Sequence, residues 1–150
     1  MVHFVGAGPG APDLITVRGA ALLEEADVVI YTGSLVNPEL LHRCRESCEI
    51  HNSACMTLEQ VLAVIRRAEA EGKTTVRLHT GDPAVFSTIR EQMDALRENG
   101  ISFDVTPGVS SFSAAAASAE AEYTLPGVSQ SVILTRLEGR TPVPEREKLA

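Results

Sequence analysis

The stretch VHFVGAGPGAPDLITVRGAALLEEADVVIY, Val2 to Tyr31, decides the fold of this chain. Its opening Val2, Phe4 and Val5 make a short apolar run that stops at Gly6, the pattern of a strand. A glycine loop from Gly6 to Gly10 follows. Thr16 then stands where a helix over TVRGAALLEEA needs an oxygen to accept from its first free amide groups. The run DVVIY, Asp27 to Tyr31, is β-branched and apolar on both faces, as a strand buried in a parallel sheet must be.

Working outward, the same alternation continues. Asn37-Pro38 is a helix start for the short PELLHRC, since Asn accepts from free amides and Pro presets the first helical dihedral. Thr57 and Gln60 form a capping box ahead of LEQVLAVIRRAEAE, which carries Leu58, Val61, Leu62 and Ile65 on one face and has Gly72 to end it. TTVRLH, Thr74 to His79, reads as a strand and TGDP as its loop. VFSTIREQMDALREN then reads as a helix with Ile89, Met93 and Leu96 at helical spacing before Gly100. ISFDV is the next strand, TPGVSS a turn, SFSAAAASAEAE a helix of small residues, and SQSVILTR, Ser129 to Arg136, one more strand.

Strands alternating with helices predict an α/β fold, a mostly parallel sheet with helices on both faces and right-handed crossovers. Ligands of such sheets bind beyond the carboxyl ends of the strands. Three loops belong to that edge, Gly6 to Gly10, Thr80 to Pro83 and Pro107 to Ser111, so a site is expected where they converge.

The 150 residues are 44% hydrophobic, enough for one well-buried core. A net charge of -7 supplies no basic footprint for a polyanion, so nucleic acid is not an expected partner. No stretch approaches the ~20 apolar residues that a membrane-spanning helix needs, and the expected setting is the cytoplasm. Cys44, Cys48 and Cys55 are an odd number in a short interval, which fits reduced thiols. With His42 and His51 they lack the paired Cys-x2-Cys spacing of a zinc site, so no metal is expected.

Among the motifs, GAGPG departs from the dinucleotide fingerprint. Counted from Gly8 and Gly10 the closing glycine position is Asp13, preceded by Pro12, which has no amide hydrogen to donate. The loop is then either a place where backbone approaches a ligand closely or a tight turn. HTGDP, His79 to Pro83, sits at a strand end, where Asp82 either offers its carboxylate to a ligand or stabilises a turn. No lysine follows the glycine loop, and no Ser, His and Asp set or carboxylate pair announces itself, so nucleoside triphosphate chemistry and covalent hydrolysis are unsupported.

Taken together, GAGPGAPDLITVRGAALLEEADVVIY, HTGDPAVF and TPGVSSFSAAAA occur in the order and approximate spacing of the tetrapyrrole methylases, and the whole chain resembles that family. YTGSLVNPELL, HTGDPAVFSTIREQM and EAEYTLPGVSQSVILTRLEGRTPVPE look most like the members that methylate carbon 11 of precorrin-4 or cobalt-precorrin-4 in cobalamin biosynthesis. The resemblance implies S-adenosylmethionine as methyl donor, held by Pro9 of the first loop, Thr80, Gly81, Asp82 and Val85 of the second, and Ser110 and Ser111 of the third. It places Ser34 of TGSLV nearest the tetrapyrrole and implies a homodimer. It also divides the chain into residues 1–125, the amino-terminal methylase domain, and 126–150, a linker and the first strand of a second domain.

Methyl transfer from a sulfonium needs placement more than a protein nucleophile, in keeping with the missing triad. The proton that must leave the macrocycle could pass to His79, Asp82, Tyr31, water or a substrate carboxylate, and no catalytic residue is assigned. Two other readings stay open: methylation of another tetrapyrrole carbon, as in uroporphyrinogen III, and a non-catalytic binding or dimerisation domain. Diphthine synthases and ribosomal RNA methylases share the fold, but the acidic composition argues against RNA.

Overall fold

Five parallel strands lie side by side: β1 (Val2–Gly6), β2 (Val28–Tyr31), β3 (Glu49–Asn52), β4 (Thr75–His79) and β5 (Phe103–Thr106). Their order is β3-β2-β4-β1-β5, so β4 sits at the centre between β1 and β2. This computed structural model describes residues 1–33, 35–138 and 142–147. Four helices complete the pattern: α1 (Val17–Glu25), α2 (Leu58–Ala70), α3 (Ile89–Glu98) and α4 (Ser111–Ser118).

Helices cover both faces of the sheet, as a parallel arrangement requires. On one face Val5, Val29, Val76 and Leu78 pack with Leu23 of α1 and with Leu40, which stands in a 3-10 turn over Pro38–Arg43. On the other, Val2, Phe4, Val28 and Ile30 pack with Val61, Leu62 and Ile65 of α2 and Leu96 of α3. Side chains alternate along a strand, so Arg77 and His79 of β4 fall on the second face. His79 stacks near Phe4, ring centroids 6.0 Å apart, and Arg77 reaches Gln92 of α3.

Local signals operate as their chemistry dictates. Thr16 Oγ1 accepts from Gly19 N–H at 3.1 Å at the head of α1. Thr57 and Gln60 satisfy one another's backbone amides at the head of α2, the full capping box. Asn37 accepts from Glu39 N–H, and its own amide donates to Gly10 O at 2.8 Å, which ties the glycine loop to the segment after β2.

Four details differ from the sequence reading. EIHN forms the edge strand β3, although Glu49 and His51 interrupt any apolar run. Helix α3 begins at Ile89 rather than Val85, because Phe86 and Thr88 adopt left-handed dihedrals, φ 54° and 49°, that no helix can include. Helix α4 ends at Ser118, just before Glu120 with φ 50°. Ser129 to Arg136 form no strand; an apolar run becomes a strand only when another backbone pairs along it, and among the described residues Ser129 alone is paired, in an isolated bridge to Leu125.

The chain divides into two compact units, Met1–Ala115 and Ala116–Ala150. The first holds the sheet. In the second, Leu125 N–H donates to Ser129 O at 2.8 Å to close a turn, and Arg136 donates to Pro142 O at 2.9 Å. Among the described residues no helix is long and apolar enough to cross a membrane, and no group of three or more His, Cys, Asp or Glu is placed to hold a metal ion.

Candidate functional site

Beyond the carboxyl ends of β1 and β4 the main chain closes on itself. Ala7 N–H donates to His79 O at 2.7 Å, and Gly8 and Gly81 exchange two hydrogen bonds of 3.2 and 2.8 Å. Gly108, after β5, lies against both strand ends. A Cβ on Gly108 would stand 2.1 Å from Gly81 O and 2.8 Å from Gly6 Cα, and a Cβ on Gly6 would stand 2.6 Å from Gly108 Cα. Only glycine lets three backbones approach this closely.

Asp82 joins the same loops through its carboxylate. One oxygen accepts from Ala84 N–H at 2.7 Å, shaping its own turn, and the other accepts from Gly108 N–H at 3.0 Å. Ser87 Oγ donates back to Asp82 O and Val85 O, both at 3.3 Å. The turn that follows carries the two left-handed residues Phe86 and Thr88. Such dihedrals cost on the order of 1–3 kcal/mol each in non-glycine residues and concentrate where the fold holds a ligand wall in place.

These loops enclose a cavity of about 420 Å³ at the edge of the sheet. That is within the ~300–1,000 Å³ range of small-molecule sites. Of the residues expected to hold the methyl donor, Thr80, Gly81, Asp82, Val85, Ser110 and Ser111 all line it. Pro9 does not, and stands instead one residue past Gly8, which pairs with Gly81. Ser34 lies outside the described residues; Thr32 and Leu35 on either side of it belong to the wall. Thr32 Oγ1 is 3.4 Å from Thr80 Oγ1, linking the loop after β2 to the loop after β4.

Phe86, Ser87 and Thr88 also line the cavity and were not expected there, because the helical periodicity of VFSTIREQM hides a turn that left-handed dihedrals create. Tyr31, one of the residues available to take a proton, is not part of the wall. Asp82 is part of it, but its carboxylate is engaged by two backbone amides.

His79 is the remaining member of that group. It lines the cavity at only 1% exposure, and its Nε2 is buried with no hydrogen-bond partner among the described residues. Burial, reinforced by the nearby positive charge of Arg77, pushes its pKa down to about 3, so the imidazole is neutral near pH 7. A neutral ring can donate or accept one proton-bearing contact but carries no charge to a ligand.

With the geometry in place, the chain can be set beside known proteins. The family model of tetrapyrrole (corrin/porphyrin) methylases matches residues 1–150. The chain belongs to the tetrapyrrole methylase family. Among its members, the cobalt-precorrin-4 C(11)-methyltransferase of Methanocaldococcus jannaschii is 56% identical over 148 residues, 99% of this chain and 57% of the relative. The X-ray structure of a cobalt precorrin-4 methyltransferase of cobalamin biosynthesis matches with TM-score 0.93 at 51% identity, over 98% of this chain and 62% of that one. A tetrapyrrole methylase from Thermus thermophilus, a uroporphyrin-III C-methyltransferase complexed with S-adenyl homocysteine, matches with TM-score 0.70 at 32% identity, over 87% of this chain and 52% of that one. The chain thus spans less than two thirds of the length of these relatives.

Proposed function

We propose that this chain carries the donor-binding half of an S-adenosylmethionine-dependent methyltransferase that acts on carbon 11 of precorrin-4 or cobalt-precorrin-4. The observation that carries the reading is the cavity at the edge of the sheet, where Thr80, Gly81, Asp82, Val85, Ser110 and Ser111 come together on main chain drawn close by glycine. The likeness to precorrin-4 methylases, closer than that to the uroporphyrin-III enzyme, supports the choice of substrate.

The donor supplies a sulfonium methyl. When bound, it would pass that methyl to a macrocycle carbon, the carbon–sulfur electron pair staying on sulfur as a neutral thioether and a proton later leaving the macrocycle. The residues present fit such a ligand. Thr80, Ser110 and Ser111 offer hydroxyls, Val85 an apolar wall, and His79 a buried Nε2 that has no partner among the described residues. Their contribution is orientation, and holding two reactants in line is worth ~7–11 kcal/mol of a barrier. Asp82 acts by fixing Gly108 against the donor loop rather than by taking a proton.

In the same reading, residues 1–125 form the first domain, while 126–150 form a linker and a segment, Ser129 to Arg136, that becomes the first strand of a second once that domain's backbone pairs with it. The relatives' additional length supports this division, and in this reading the enzyme works in the cytoplasm as a homodimer. In this reading the family resemblance assigns Pro9 to the methyl donor and Ser34 to the tetrapyrrole.

The test is to incubate the full-length enzyme with methyl-labelled S-adenosylmethionine and, separately, precorrin-4, uroporphyrinogen III or ribosomal RNA. Label at carbon 11 of precorrin-4 is the expected result. Label in uroporphyrinogen overturns the substrate, and label only in RNA overturns the whole reading.

A further inference from the structure

A second, smaller cavity of about 180 Å³ lies on the face of the sheet covered by α2 and α3, and Arg77 lines it. Arg77 sits on the central strand and is only 5% exposed. Its Nε–H donates to Gln92 Oε1 and an Nη1–H to Ile30 O, both at 2.9 Å, and both acceptors are neutral. Among the described residues it forms no ion pair.

A buried cation with no counter-charge is costly, and hydrogen bonds to neutral oxygens offset only part of that cost. Burial alone holds the guanidinium down to about 10, still charged near neutral pH. Two N–H donors are used and the rest of the fork remains, a geometry matched to a carboxylate. The surrounding wall brings Thr88, whose hydroxyl can add a donor, while Ser53 Oγ already donates to Tyr31 O at 2.9 Å and the Thr57 hydroxyl is engaged with Glu59 and Gln60. One acid, Glu91, borders the cavity from the first turn of α3, but it is exposed and makes no salt bridge to Arg77.

Thr88 lines both cavities, so the smaller one adjoins the site at the edge of the sheet. We propose that the smaller cavity is a carboxylate subsite of the active site, with Arg77 as its cation and the Thr88 hydroxyl as a neutral donor. The proposal rests on the methyltransferase reading, which supplies two carboxylate sources: the amino-acid end of S-adenosylmethionine and the acid arms of the tetrapyrrole. Arg77 acts here as a positioning residue for whichever carboxylate enters.

The test follows the Nε–Hε resonance of Arg77 in the full-length enzyme, identified by its loss in Arg77→Lys, so no variant has to fold for the measurement itself. Titration with sodium acetate should shift it saturably, sodium chloride at equal ionic strength should not, and Glu91→Gln should tighten acetate binding several-fold. S-adenosylmethionine, its decarboxylated analogue and precorrin-4 then separate the sources. A shift with the first and not the second assigns the donor's carboxylate, and a shift with precorrin-4 alone assigns the acid arms. If methylation proceeds while the resonance ignores all of these, the subsite is overturned and the methyltransferase reading stands. If acetate saturates it but no tetrapyrrole is methylated, the subsite stands and the substrate reading falls. A marked loss of stability in Glu91→Gln with no acetate effect would make Glu91 the counter-charge and overturn the subsite.

Discussion

Asp82 Oδ2 accepts a hydrogen bond from the backbone N–H of Gly108 at 3.0 Å, so a carboxylate in the loop after β4 holds the turn after β5. The second oxygen holds Ala84 N–H at 2.7 Å. Asp82 therefore fixes the shape of two walls of the cavity at once.

Replacing Asp82 should act through those walls. Charge-assisted hydrogen bonds are worth ~1.5–3 kcal/mol, so Asp82→Ala should lower stability to urea by about that amount. It should also weaken S-adenosylmethionine binding by about tenfold or more, since ~1.4 kcal/mol is a factor of ten. Asp82→Asn keeps an acceptor and should fall between. Binding by calorimetry that stays within about twofold of the unaltered enzyme, at intact fold, would remove Asp82 from this role.

Two kinds of glycine should separate cleanly under alanine substitution. Gly108→Ala drives a Cβ to 2.1 Å from Gly81 O, with backbone on every side, and should cost more than the ~1–3 kcal/mol typical of overpacking. Gly72→Ala meets nothing within 4 Å and suffers only from its φ of 69°, a penalty of ~1–2 kcal/mol. Chemical denaturation of the two variants reads the difference directly. Comparable losses would contradict the close contact of the three backbones.

His79 sets a pH dependence whose sign follows from its burial. The folded value, about 3, lies below the ordinary 6.5, so between them the unfolded chain binds a proton that the folded chain does not. Stability should therefore fall as pH drops from about 6.5 toward 3, by at most ~1.4 kcal/mol per pH unit from this residue. Other groups titrate in the same window, so the check is the difference in slope between the unaltered protein and His79→Gln. Parallel slopes would mean that His79 is protonated in the fold.

Much of this architecture was legible because the decisive signals are local. Thr16, Thr57 with Gln60, and Asn37-Pro38 mark starts through hydrogen bonds with their own neighbours, and the apolar run of β2 declares burial on both faces. What stayed hidden depends on distant partners. β3 exists because β2 offers it an edge, whereas Ser129 to Arg136 find only an isolated bridge from Ser129 to Leu125 among the described residues. Phe86 and Thr88 take left-handed dihedrals that no residue preference foretells. Six of the seven residues expected around the methyl donor meet at one cavity, since strand ends and short loops fix their place. Arg77, by contrast, reads in TTVRLH as one polar residue among several, and only the sheet order reveals a cation at the centre of the fold.

Where Gly6, Gly81 and Gly108 meet, the edge of the sheet is main chain with no side-chain rotamers to rearrange. A surface of that kind cannot remould itself around differently shaped guests. Divergence toward a new ligand would have to be written elsewhere, in the outer wall from Val85 to Thr88 and in the loop bearing Thr32 and Leu35, where side chains are free to be exchanged. Libraries aimed at altered substrate preference should therefore vary those segments and leave the glycines untouched.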